Sequence, residues 1–597
     1  MGKGTSCALT GDSHSHRAEQ CYYSLPLARA QYATELADAE PASVPAALDA
    51  IALREGITWT STSPVTAGAE ARARVFVARD TRPSSAHLAG LVLAGAAAAG
   101  AATVDYGVLS TPQLHWIVRE TNGRTARLGV GAADAVESDY YAAMAAAYAE
   151  VLGSVPARAA ERGPLELDCA QGVGGPQSRK LASALSQLVV IAPRNTGETP
   201  ADAALLNEGC GAEHCQKARL PPSGFAPDAD AGKRCASLDG DADRLVYWYY
   251  TPSHVWKLLD GDKIAALAAL FVSEQLAALG WPVTGEPAHA AHGDAAGAAH
   301  AATSRQGGGG VQAVSVGVVQ TAYANGAARD YIEKTLHLPV PLARTGVKFV
   351  HTEATKYDVG VYFEANGHGT VLLHEEFLAR LERAGSAELT APGAAEARAR
   401  LLAASRLINQ AIGDALSDAL FVEAVLTLKR WSVQDWDALY VDLPSRQCKL
   451  AVADRTAVAT IDDETRLTAP VKLQKEIDAL VAATPRGRAF VRYVVRVCHR
   501  GRSCCCCVRP QCSPSPFSAA LLARRTSCAC TQKPRRKMQP TNSHTKSRSL
   551  PTSAPVASDH AQARLRDAVA RKPDRHLPRC YTIGVGSQLY RFGADGS

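Results

Sequence analysis

No stretch of this sequence is long and apolar enough to cross a membrane. The longest uncharged apolar run, residues 89–102, is 14 residues of mostly Ala and Gly, against roughly 18 or more for a spanning helix. Basic charge is scarce in the first 497 residues, which carry 46 Lys+Arg against 54 Asp+Glu. A nucleic-acid groove needs concentrated Lys/Arg to replace the counterions on phosphates, so none is expected there. Cysteine is sparse in the same region, with 7 of the 16 scattered along it, as buried thiols of a reducing compartment are. No charged, then apolar, then small-residue leader is recognisable, so a cytoplasmic location is expected. The first six residues fit the permissive myristoylation pattern, but a single acyl chain anchors weakly, and no membrane partner is expected. What is present is the make-up of a folded, multi-domain protein: 597 residues, 47% apolar and 20% charged.

Strand-length apolar stretches alternate with helix-period segments, the order of a doubly wound α/β protein. Strands are predicted at 74–78, 103–106, 164–169, 188–192, 314–320 and 339–344, and helices at 87–100, 112–120 and 262–279. Residues 280–311 are Gly/Ala/His-rich, and Gly fills every position from 307 to 310. That composition cannot bury a core and predicts a surface insertion. His289, His292 and His300 lie in it, but a polar loop without Cys or carboxylate spacing is a poor preorganised metal site. From 498 onward, 18 Lys+Arg stand against 4 Asp, with 9 Cys. This stretch lacks apolar periodicity and predicts a disordered, basic, Cys-rich tail, the one part suited to nucleic acid.

The sharpest local signal is Ser237-Leu238-Asp239-Gly240-Asp241-Ala242-Asp243-Arg244. A short apolar stretch delivers three carboxylates at alternate positions into a Gly-containing turn. Such a cluster suits Mg²⁺ with positions left open for a phosphate, because each carboxylate repels the others without a cation. An EF-hand would need Gly at loop position 6 and Glu at position 12, where Arg244 and Tyr250 stand. A solvated acidic turn is the alternative, although Arg244 suits a phosphate.

A second constellation runs from Arg344 to Thr370 and includes Thr345-Gly346-Val347-Lys348 and Gly360-Val361-Tyr362-Phe363-Glu364-Ala365-Asn366-Gly367-His368-Gly369-Thr370. Two strands flank a polar turn. Glu364 and Asn366 would project at a strand end, where an acceptor and an amide can pair with sugar hydroxyls, and His368 could shuttle a proton from a hydroxyl. The same residues also read as an ordinary hairpin with an Asn-Gly turn.

Together these residues resemble the α-D-phosphohexomutase superfamily and, within it, the phosphoacetylglucosamine mutase family. The likeness covers most of residues 75–496. It runs through Arg79-Asp80-Thr81-Arg82-Pro83-Ser84-Ser85, Asp105-Tyr106-Gly107, Thr111-Pro112-Gln113-Leu114-His115, the acidic loop, Gln320-Thr321-Ala322-Tyr323-Ala324-Asn325-Gly326, the turn after Phe363, Trp436-Asp437-Ala438-Leu439-Tyr440 and Asp442-Leu443-Pro444. Many separate matches in family order are more specific than any one motif. The resemblance implies a multi-domain phosphohexomutase-like α/β fold, three related α/β domains plus a smaller α+β C-terminal domain. These would be residues 1–152 (truncated), 153–258 with the metal loop, 259–420 with the sugar loop and the 280–311 insertion, and 421–497, followed by the 498–597 tail.

The activity implied is an isomerase interconverting N-acetylglucosamine 6-phosphate and N-acetylglucosamine 1-phosphate for UDP-N-acetylglucosamine synthesis, through a phosphoserine and a bisphosphate intermediate. Its partner is a small sugar phosphate. In that reading Asp239, Asp241 and Asp243 hold Mg²⁺, Arg244 contacts phosphate, Glu364 and Asn366 bind the sugar, and His368 takes the acid/base place. Arg492 and Arg496 match positions flanking the phosphate loop. Two family segments have no counterpart: the Thr-Ala-Ser-His-Asn-Pro loop that carries the phosphoserine, and the Pro-Ser-Gly-Thr-Glu-Asp phosphate loop between Arg488 and the Val494-Val495-Arg496 segment. Ser13-His14 lies roughly where the first would fall, without the following Asn-Pro. A chain lacking both would be an inactive mutase or a non-catalytic hexose-phosphate-binding protein. A mutase for another hexose phosphate is the nearer alternative.

Overall fold

A computed structural model describes residues 74–98, 100–128, 132–289, 312–385, 388–445, 447 and 457–492. Ser13, Arg496, His292, His300 and the expected tail lie outside the described residues.

The alternation read from the sequence is present. Strands β1 (Arg74–Arg79) and β2 (Ala102–Val108) pair in parallel across the helix Ser85–Ala98, and the helices Thr111–Leu128 and Glu137–Leu152 follow. A second, mixed sheet has the order β4-β3-β5-β6-β7, formed by β3 (Leu165–Asp168), β4 (Ile191–Arg194), β5 (Arg234–Leu238), β6 (Leu245–Tyr250) and β7 (Trp256–Leu259). β5 runs parallel to β3 and antiparallel to β6. The third sheet, β11-β10-β9-β8, comprises β8 (Val283–Thr284), β9 (Val314–Val319), β10 (Val359–Phe363) and β11 (Gly369–Leu373). A last antiparallel pair, β12 (Ala459–Thr460) and β13 (Leu467–Ala469), packs on the helix Val471–Ala482. Every residue of β6, β9, β10 and β11 is buried, so these strands carry continuous apolar runs rather than alternation.

Two expectations change. Residues 339–344 form no strand; beside β9 they make the isolated bridge Gln320↔Leu342 and a few backbone hydrogen bonds around it. Pro339 and Pro341 have no amide hydrogen to donate to a ladder, and accept from Val318 and Gln320 instead. Nor is the whole of 280–311 a loop, since Val283–Thr284 adds β8 to the edge of the third sheet.

The helix Gly261–Leu279 is apolar nearly all round because it runs through the centre. Asp260 caps its start and Gly280, in the left-handed region, ends it. It packs on β10 and on the helices Ala394–Leu407 and Ala415–Lys429. One apolar core runs from Leu109 and Tyr140 through Leu245 and Val316 to Phe421 and Trp436, while Val458, Leu467, Leu473 and Ile477 make a small separate one. Lys263 joins the central helix to the C-terminal part: its buried ammonium donates to the carbonyls of Asp437 and Tyr440 at 2.7 and 2.6 Å. Asn325 likewise pairs through both ends of its amide with the backbone of Leu443.

Between the second sheet and the helix Ala415–Lys429, Glu423 receives Arg234 Nε at 2.8 Å, Arg162 at 3.1 Å and the Tyr247 hydroxyl at 3.2 Å. Glu423→Ala would leave two largely buried guanidiniums without their carboxylate. A loss of about 3–5 kcal/mol is expected in urea unfolding, and a loss under about 1 kcal/mol would contradict this account.

Candidate functional site

β5 ends at Leu238, and the chain turns back into β6 through Asp239 to Arg244. Asp239 Oδ1 closes the turn by accepting the amides of Asp243 at 3.1 Å and Arg244 at 3.3 Å. Ala242 takes the left-handed conformation at φ 58°. The three aspartates are buried, and one ligand atom from each lies within 4.8 Å of the others. Burial, then the carboxylates of Asp243 and Asp241, hold the Asp239 carboxyl well above the usual carboxylate range. Arg244 lies 3.7 Å from both Asp239 and Asp243, and its Nε is buried without a hydrogen-bond partner. Among the described residues, three carboxylates thus face the Arg244 guanidinium. The donors are all hard oxygens, so the set fits Mg²⁺ rather than a thiophilic metal. Thr111, at the start of the helix after β2, donates to Asp241 at 3.2 Å and ties the first unit to this loop.

The turn between β10 and β11 sits directly on the strand leaving the acidic loop. Glu364 and His368 close it, the Glu364 amide donating to the His368 carbonyl at 2.9 Å, and the Leu245 amide donates to the Gly367 carbonyl at 3.0 Å. Asn366 accepts the His368 amide at 2.9 Å and approaches Glu364 Oε2 at 3.4 Å. Gly367 has φ 87°, and a Cβ there would lie 2.0 Å from the Leu245 carbonyl. Gly367→Ala should therefore push the two loops apart, costing about 1–3 kcal/mol and weakening substrate affinity. A variant with unchanged melting and unchanged KM would refute this.

His368 is the join. Its Nδ1 lies 3.2 Å from Asp243 Oδ2. Burial, then the Arg244 guanidinium, push its imidazole down to about 4, so the ring is neutral at pH 7. With the Nδ1–H facing the carboxylate, the lone pair is on Nε2, which has no hydrogen-bond partner among the described residues. Gly413 flanks it, and a Cβ there would stand 3.1 Å from Nε2. A neutral imidazole thus borders the acidic loop on one side and the β10–β11 turn on the other.

Arg492 is placed differently. It donates Nε to the Tyr323 hydroxyl at 3.0 Å and spans both oxygens of Glu464 at 3.2 Å. Glu464 also accepts the Thr345 amide at 3.1 Å, while Glu364 accepts the next amide, Gly346, at 3.0 Å. The C-terminal hairpin and the sugar turn therefore grip the same two-residue segment. Sequence reasoning assigned no role to Thr111, Glu464 or Gly413. Glu464 and Gly413 carry no local signal, because their partners lie far away along the chain; Thr111 stood inside a quoted motif.

Comparison with known proteins gives a consistent set of likenesses. Residues 131–246 match the family described as phosphoacetylglucosamine mutase AMG1, domain II, and residues 296–431 its domain III. Residues 57–133 match the phosphoglucomutase/phosphomannomutase alpha/beta/alpha domain I. The phosphoacetylglucosamine mutase of Arabidopsis thaliana is 44% identical over 432 residues, 70% of each chain. That of Saccharomyces cerevisiae is 40% identical over 430 residues, again 70% of each. Among solved structures, Aspergillus fumigatus N-acetylphosphoglucosamine mutase in complex with GlcNAc-6P and magnesium is similar at TM-score 0.60 and 36% identity, covering 74% of both chains.

Proposed function

Because the chain belongs to the phosphoacetylglucosamine mutase family, we propose that the site where the acidic loop meets the sugar turn interconverts N-acetylglucosamine 6-phosphate and N-acetylglucosamine 1-phosphate. The observation that carries this reading is the placement of His368 against Asp243 while its own turn presents Glu364 and Asn366. Metal, base and sugar contacts then lie on two adjacent loops.

Asp239, Asp241 and Asp243 would hold a Mg²⁺, the ion present in the complex of the Aspergillus relative; when bound, the ion would neutralise charge on a transferring phosphoryl group. Arg244 offers its guanidinium to the same phosphate. Glu364 accepts and Asn366 donates to neighbouring sugar hydroxyls, fixing which hydroxyl faces the phosphoryl donor. His368 Nε2 takes the proton of the hydroxyl that attacks phosphorus, and the hydroxyl oxygen forms the new bond as the donor's P–O bond breaks. Returning the proton to the departing oxygen completes the second transfer. The donor serine is assigned to no described residue. Arg492 is a further phosphate contact in this reading, and it must exchange Glu464 for the substrate to act as one.

Cys169, Cys210, Cys215 and Cys235 are buried free thiols, which supports a reducing compartment such as the cytoplasm. No helix among the described residues is long and apolar enough to cross a membrane.

The test is conversion of N-acetylglucosamine 6-phosphate by the purified 597-residue chain with Mg²⁺ and a sugar bisphosphate primer. Turnover supports the mutase. Mg²⁺-dependent sugar-phosphate binding without turnover would instead make the chain a binding protein that has lost the transfer step.

A further inference from the structure

The three aspartates of the acidic loop are oriented from three different parts of the chain. Asp239 Oδ1 is held within the loop, by the amides of Asp243 and Arg244. Asp243 Oδ2 faces His368 Nδ1, which comes from the turn between β10 and β11. Asp241 Oδ2 accepts the hydroxyl of Thr111 at 3.2 Å, from a residue of the first unit 130 positions earlier. We propose that Thr111 is a positioning residue for Mg²⁺, its hydroxyl holding the Asp241 carboxylate in the orientation that binds the ion. The inference rests on the reading of this loop as the Mg²⁺ site and adds to it a residue from outside the loop.

Repulsion gives the hydroxyl its task. Before a cation arrives, ligand atoms of the three carboxylates lie within 4.8 Å of one another, and burial, then the charges of Asp243 and Asp241, already push the Asp239 carboxyl up. Asp239 is tied by two backbone amides, and Asp243 faces an imidazole. Rotation of the Asp241 side chain away from the other two is what relieves the crowding, and a ligand that has rotated away must be brought back at a cost in metal affinity. A hydroxyl donating to one carboxylate oxygen opposes that rotation, since a hydrogen bond to a charged acceptor is stronger than one between neutral groups. Donors behind ligating carboxylates act on metal affinity in this way.

Thr111 can hold its partner because it is itself held. It opens the helix Thr111–Leu128. The buried Ser110 and Gln113 bond reciprocally across that opening, the Ser110 amide donating to Gln113 Oε1 at 3.0 Å and the Gln113 amide to Ser110 Oγ at 3.2 Å, in the form of a capping box. Gln113 Nε2 in turn donates to the Tyr141 hydroxyl at 3.0 Å. Behind Thr111, the Pro112 carbonyl accepts Asn409 Nδ2 at 3.1 Å, and the Ala415 amide donates to the Ala242 carbonyl of the acidic loop at 3.1 Å. The segment from Asn409 to Ala415 thus braces the turn that carries Thr111 against the loop that carries Asp241, and on the way it sets Gly413 beside His368. Replacing the hydroxyl by a methyl group leaves all of these contacts in place and removes only the donor.

The test compares the full chain with Thr111→Val, Thr111→Ala and Thr111→Ser, without sugar phosphate. Mn²⁺ is the probe, counted by electron paramagnetic resonance and displaced by Mg²⁺, and Asp241→Ala supplies the uptake that belongs to other parts of the chain. Thr111→Val and Thr111→Ala both lack the hydroxyl and should bind Mg²⁺ about tenfold more weakly, while Thr111→Ser stays close to the unaltered chain. Equal Mg²⁺ affinity in Thr111→Val and the unaltered chain overturns the proposal, as does a loss that Thr111→Ser shares in full. A Thr111→Val chain that melts earlier without Mg²⁺ but keeps its Mg²⁺ affinity also overturns it, because Thr111 would then be only a tie between units. An unaltered chain that takes up no more Mn²⁺ than Asp241→Ala would instead overturn the Mg²⁺ reading of the loop itself.

Discussion

Asp241→Ala is expected to lower turnover by on the order of 10²–10³-fold or more while making the metal-free protein more stable. Both effects come from one cause. In the absence of a cation Asp241 is one of three buried carboxylates crowded within 4.8 Å, and it helps push Asp239 well above the usual carboxylate range. Removing it relieves repulsion in the metal-free fold and removes a ligand from the metal-bound one. Mg²⁺ should therefore reverse the order of stabilities, raising the midpoint of the unaltered chain and leaving Asp241→Ala nearly unmoved. A pH dependence follows with a definite sign. A carboxyl whose folded pKa is raised contributes stability at low pH that is lost as pH rises through the folded value, and Mg²⁺ should abolish this loss. Melting curves with and without Mg²⁺ at several pH values, beside the turnover assay, test it. Full activity in Asp241→Ala, or an unaltered chain indifferent to Mg²⁺, would remove the metal from the account.

His368→Gln should lower kcat by about 10²–10⁴-fold with little change in KM. Glutamine can still face Asp243, and Glu364 and Asn366, the proposed sugar contacts, are untouched, so what is lost is the proton acceptor at Nε2. Because burial and Arg244 lower the His368 pKa to about 4, kcat of the unaltered chain should show no acid limb near the ordinary histidine value of 6.5. The ring's effect on folding runs the same way. Its depressed pKa contributes stability present above 6.5 and lost as pH falls from 6.5 through about 4. A variant that raises KM without touching kcat would make His368 a binding residue instead.

Much of this was legible residue by residue. Asp239, Asp241 and Asp243 follow an apolar strand at alternate positions, so their convergence needed only the short turn that Gly240 and Ala242 provide. Glu364, Asn366 and His368 were readable because a tight hairpin turn is built from neighbours. The parallel strands were readable because buried strands are uniformly apolar. The strand expected at 339–344 failed for a local reason that prolines 339 and 341 already announced.

Other features had no local signature. Nothing near His368 says that Asp243, which lies in a loop between strands of a different sheet and far earlier in the chain, will face its Nδ1, and nothing near Arg492 says that Glu464 will hold it. His289 stood in a polar stretch, and its partners, the Asp358 carboxylate and the His374 ring, met it only once β8 carried the segment back to the third sheet. Periodicity and turn chemistry act between residues a few positions apart, so strands, helices, the acidic loop and the sugar turn are written into the chain locally. The charge balance at Arg244, the neutral state of His368 and the stacking of two imidazoles depend on which elements are packed together. Burial then sets the cost of each charge, and that is a property of the folded molecule.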